Sequence, residues 1–116
     1  EALRAVSNDP GGIYYASAPE VIGQCTTKPL PLGRQANQLV TPYVEPLIPP
    51  SQCPAQRNQI NTATLQSGEY PITRQLFVIV RHDGQANQQA GEAYANLLLT
   101  DQGQSLIEAA GFVRLR

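Results

Sequence analysis

Tryptophan and methionine are absent from this chain, histidine occurs once, and only 15% of the 116 residues are charged. The formal net charge of -1 leaves no basic footprint for a nucleic-acid backbone, so nucleic acid is excluded as an expected partner. No apolar stretch approaches the roughly 20 residues that a membrane-spanning helix needs. No leader pattern opens the chain, which starts Glu1-Ala2-Leu3-Arg4 without Met. The expectation is a processed product or an excised piece. Cysteine is scarce too. Cys25 and Cys53 do not form a C-x-x-C pair, and two thiols with His82 do not make a structural zinc site. The two thiols are either a disulfide or two buried free cysteines. A bond would close a loop of roughly 29 residues and stabilise by about 3 kcal/mol. No motif calls for a cofactor.

Proline is plentiful, with ten residues, against an average usage of about 5%. Five of them (Pro42, Pro46, Pro49, Pro50, Pro54) fall in residues 33–58, which read as a long, stiff, proline-rich insertion around Cys53. Such a loop is unusual inside a compact domain. Elsewhere the chain alternates in kind. Ala2–Val6 reads as the end of a helix, and Ser7–Gly12 as a turn. Ile13–Ser17 reads as a short strand. Ala18–Gly23 reads as one helical turn carrying an early proline. Thr26–Leu32 reads as at best an edge strand, because Pro29 and Pro31 remove two ladder donors. Asn61 is a candidate cap for a short helix ending at Gly68.

The clearest signal lies at Leu76-Phe77-Val78-Ile79-Val80, an uninterrupted apolar, largely β-branched run. A strand of this composition is expected to be buried on both faces, between neighbouring strands. Asp83-Gly84 then turns the chain. Ala90, Ala93, Tyr94, Leu97 and Leu98 fall at helical spacing, predicting an amphipathic helix over 88–99. Asp101 and Gln104 match a capping box for a second helix. Gly111 and Phe112 match its Schellman stop. The mixture predicts an α/β fold with too few strands for its own sheet.

Three segments in order carry a family resemblance: NDPGGIYYAS (8–17), LQSGEYPITRQLFVIV (65–80) and AGEAYANLLLTDQGQSLIEAAGFVRL (90–115). Together they resemble the C-terminal portion of type II periplasmic substrate-binding proteins of the phosphate ABC transporter family. The likeness covers about residues 1–24 and 59–116; residues 33–58 match nothing in that family. The resemblance implies two α/β lobes. Residues 1–73 would be a remnant of the second lobe, and 74–116 the crossover strand and C-terminal helices of the first. The sheets would be incomplete, and elements could be exchanged between chains. It further implies a periplasmic or other extracytoplasmic location and service to an ABC permease. The ligand would be phosphate or a related oxyanion, with no catalysis. The main ligating loops would lie upstream of Glu1. Tyr15 matches the tyrosine of a family strand that comes near the ligand; its simpler role is to fill a lobe interior. The alternative function is a sensory or protein-interaction module without transport. A homodimer of this piece is also open.

Other chemistry is weakly signalled. Arg81-His82-Asp83 lacks a nucleophile, and neighbours on a strand face opposite ways. Arg74 is a candidate anion ligand or a hinge contact. Glu92 and Glu108 belong to separate helices, and Gly11-Gly12 is followed by no phosphate-loop pattern.

Overall fold

Strands exist only where backbone groups find partners across a ladder, and in this protein the apolar runs find none. The computed structural model describes residues 1–115 and contains short helices, turns and two isolated antiparallel bridges, Leu32–Val40 and Tyr43–Ile60, but no sheet among those residues. The expected α/β, two-lobed binding-protein architecture with incomplete sheets is therefore corrected. The expected strands at 13–17 and 76–80 carry the right side chains, yet no second strand lies beside either. The expected edge strand at 26–32 reduces to the single bridge at Leu32. The bridges instead involve the proline-rich region, where Leu32, Val40, Val44 and Asn61 supply the N–H donors that its prolines lack.

The chain divides into two compact units, Glu1–Ile72 and Thr73–Arg116. In the first, α1 spans Ala2–Asn8, α2 Ala18–Val21 and α3 Thr62–Gln66, with a 3-10 turn at Pro50–Gln52. Asn61 caps α3 by accepting from the Thr64 backbone N–H, which satisfies one of the donors a helix start leaves unpaired. The same helix start is tied to the loop before it. Asn61 N–H donates to Pro42 C=O at 2.9 Å, and Thr64 Oγ1 donates to Thr41 C=O at 3.2 Å. Cys25 and Cys53 are joined by a disulfide. Beside it, buried Asn58 accepts the Ile48 N–H at 2.8 Å, and Arg57 donates to Gly23 C=O at 2.8 Å. The long loop is thus fixed by one covalent link and by side chain to backbone bonds. Little apolar packing supports it: among the described residues the buried hydrophobics are Ile22 (2% exposed) and Tyr43 (5%).

In the second unit α4 spans Ala86–Leu99 and α5 spans Asp101–Ala109. The turn between them is tight, and Gly103 permits it: a Cβ there would collide with Leu97 C=O and lie 2.5 Å from Leu98 Cα. The expected capping box is corrected. Thr100, not Asp101, is the N-cap, and its Oγ1 accepts the Gly103 N–H at 3.1 Å. Gln104 is buried instead. Its Nε2 donates to Leu98 C=O at 2.7 Å and its Oε1 accepts the Leu115 N–H at 2.8 Å, so one side chain ties α4, α5 and the C-terminal tail together. The α5 stop has the expected Schellman bonds. Phe112 N–H reaches Ile107 C=O, Gly111 N–H reaches Glu108 C=O, and Gly111 takes φ +84°. The covered face of α4 runs through Gln88, Gly91, Ala95 and Leu98, while Tyr94 and Leu97 of the expected apolar stripe stay exposed. No helix of the described residues is long and apolar enough to cross a membrane.

Candidate functional site

Residues 72–82 pass without turn, bend or helix, and the backbone of 72–83 makes no hydrogen bond among the described residues. Relative exposure alternates along the apolar run, at 62% for Leu76, 78% for Phe77, 46% for Val78 and 94% for Ile79. Alternation with period two is the signature of a pleated strand. Even-numbered side chains are the more covered set. Val80 packs on α4 at Gly91, where a Cβ would come within 2.9 Å of Val80 Cγ1. This run is strand-like in pattern, touches α4 at Val80, and has no backbone hydrogen bond on either edge among the described residues. An exposed apolar edge of this kind is a template for pairing with another chain.

Flanking charges frame it. Arg74 at one end has no ion pair or hydrogen bond among the described residues, and Arg81 at the other end is paired with Asp83. Asp83 also accepts the Gln85 N–H at 2.9 Å. Its carboxylate is thus engaged by Arg81 and the start of α4, which leaves exposed His82 outside any acid–base pair.

Tyr15, the expected ligand candidate, lies in a second unpaired run, Ile13–Ser17, and is 63% exposed. It fills no interior. Tyr70 lies near it, and the Tyr70 hydroxyl donates to Leu30 C=O at 3.1 Å. Burial raises the Tyr70 phenol above its usual value, and the nearby Tyr15 adds to the rise. This pair offers hydroxyl groups and aromatic faces, and no ion pair or hydrogen bond ties a cation to it among the described residues. The Gly11 and Gly12 amides are also committed, since Gly11 N–H donates to Asp9 Oδ1 and Gly12 N–H to Asp9 C=O. Glu92 accepts from Gln88 Nε2, and Glu108 pairs with Arg114 at 3.6 Å, each in its own surroundings.

One cleft, of about 180 Å³, lies against the disulfide and is walled by Leu47, Ile48, Pro50 and Asn58, with Thr27 and Lys28 at its side. Its volume falls below the roughly 300 Å³ at which ligand pockets begin. Thr27 Oγ1 is buried without a hydrogen-bond partner among the described residues. No group of three His, Cys, Asp or Glu comes together among those residues to hold a metal.

The open run 76–80 is the candidate feature that reading residue by residue understated. Its composition signalled burial; the exposure on both edges could be known only from the fold. No family model matches the chain, and no curated protein or solved structure does. Its chemistry must therefore be judged from its own residues.

Proposed function

We propose that this chain contributes part of an extracytoplasmic solute-binding protein for phosphate or a related oxyanion, serving ABC-type uptake, and that these 116 residues hold no anion by themselves. The observation that supports the reading is the exposed apolar run Leu76–Ile79, a patch of the kind that further protein covers. The ligand class rests on the resemblance of the three ordered segments 8–17, 65–80 and 90–115 to phosphate-binding proteins. Tyr15 contributes at most a hydroxyl group at the edge of such a site, and the charged or backbone donors that hold the anion come from elsewhere. The reading is of a binding protein and not of an enzyme.

The same exposed run supports a second reading, in which the segment is an interaction module that binds protein and no anion. Titration with inorganic phosphate separates the two. The 116 residues alone give no saturable heat. The product of the complete natural reading frame that encodes them binds phosphate or another tetrahedral oxyanion saturably. A complete product that binds none of these oxyanions refutes the uptake reading and leaves the interaction module.

A further inference from the structure

We propose that the run Leu76–Val80 is a self-complementary strand through which two copies of this chain pair, antiparallel and about a two-fold axis, in one defined register. The proposal uses the same exposed run that supports the proposed function, but it needs no anion and is tested on the 116 residues alone.

Symmetry limits the choices sharply. In an antiparallel pair, directly opposed residues share a face of the ribbon. A two-fold axis that relates the copies must preserve that face, so each residue faces one of the same parity. Among the registers that remain, centring the axis on Val78 opposes Val78 to Val78, Phe77 to Ile79 and Leu76 to Val80. All five apolar residues then face apolar residues. A shift of the axis to Phe77 or to Ile79 places an apolar residue opposite Gln75 or Arg81. The flanking charges agree with the Val78 register, which sets Arg81 opposite Gln75 and Arg74 opposite His82. No arginine faces an arginine.

The structure supplies the other requirements. Both edges of the run are free of backbone bonds, its exposure already alternates as in a strand, and Val80 anchors it on α4. Isolated two-stranded ribbons are marginal, and packing against a helix is what makes them persist. Since the axis is perpendicular to the ribbon, the faces carrying Val80 lie on the same side, and the α4 helices of both copies lie beneath it. Phe77 and Ile79 of both copies form a continuous apolar patch on the opposite face. No element is exchanged: each copy keeps its own helices and adds only the paired strand.

The test is analytical ultracentrifugation of the full 116-residue chain over a concentration series, with the helical circular dichroism signal as a folding control. The expected result is a monomer–dimer equilibrium. Val78→Lys, which sets two ammonium groups opposite each other at the axis in place of an apolar pair, weakens it by about fivefold. Phe77→Lys alone and Ile79→Glu alone weaken it as well. Phe77→Lys combined with Ile79→Glu restores it, because in this register position 77 of each copy faces position 79 of the other. These positions are exposed, so the substitutions remove no core side chain. A monomer at every concentration, an open-ended aggregate in place of a dimer, or a double variant no tighter than either single variant overturns the proposal.

Discussion

Replacing Gln104 by alanine removes two hydrogen bonds made by a side chain that is 1% exposed. One runs from Nε2 to Leu98 C=O at 2.7 Å, and the other from Leu115 N–H to Oε1 at 2.8 Å. The Leu98 carbonyl belongs to the last turn of α4, where no intrahelical donor remains for it. Leaving this part-buried group unpaired costs about 1–3 kcal/mol. Leu115 is exposed, so water can replace part of its lost bond, and that share is about 0.5–1.5 kcal/mol. Together Gln104→Ala destabilises the second unit by about 1.5–4.5 kcal/mol. The assay is urea unfolding followed by circular dichroism, joined to amide exchange of Leu115, which reports this bond locally even if the two units unfold separately. Gln104→Glu separates the two bonds. It keeps the acceptor and the Leu115 protection but loses the donor to Leu98. Thr100→Ala costs about 1 kcal/mol as the loss of a helix cap, and Asp101→Ala costs less. An unchanged unfolding midpoint together with an unprotected Leu115 amide in the parent chain would refute the assignment of Gln104. A larger cost at Asp101 than at Thr100 would restore the capping box expected from the sequence.

Cys25→Ser together with Cys53→Ser opens a loop of 28-residue separation and lowers the stability of the first unit by about 3–4 kcal/mol; non-reducing against reducing urea melts of the parent chain check it, and coincident curves would sink it. Asn58→Ala strands the part-buried Ile48 N–H and costs about 1–3 kcal/mol, whereas Asn58→Asp keeps an acceptor and costs less; equal losses in thermal melts would show that the acceptor is not what matters. The phenol of Tyr70 is raised by burial first and by Tyr15 second, so its neutral form is favoured in the fold. Its contribution to stability is complete below the unfolded value near 10 and is lost as pH rises through the higher folded value. Tyr70→Phe should flatten that alkaline decline in unfolding midpoint, and a decline of the same steepness would place its cause elsewhere.

Local chemistry was legible along the chain wherever neighbours in sequence are also neighbours in space. Asn61 and Gly68 bracket α3, Gly111 and Phe112 stop α5, and both helices of the second unit follow from their residue spacing, because caps and turns are satisfied within a few residues. Gln104 misled because a glutamine three residues after an aspartate fits a capping box equally well; only the placement of Leu98 and Leu115 around it shows what it holds. The run 76–80 misled more deeply. Its residues do determine that a strand is favoured and that it wants apolar cover. Whether a ladder forms depends on a second segment arriving alongside with its own unpaired N–H and C=O groups, and no local pattern encodes that arrival. The tertiary structure decided it, leaving Val80 seated on α4 and Leu76 to Ile79 open. What the sequence by itself determined is therefore the kind of surface this protein presents, and what the fold alone decided is that the surface is uncovered, since side-chain preference is local and strand pairing is not.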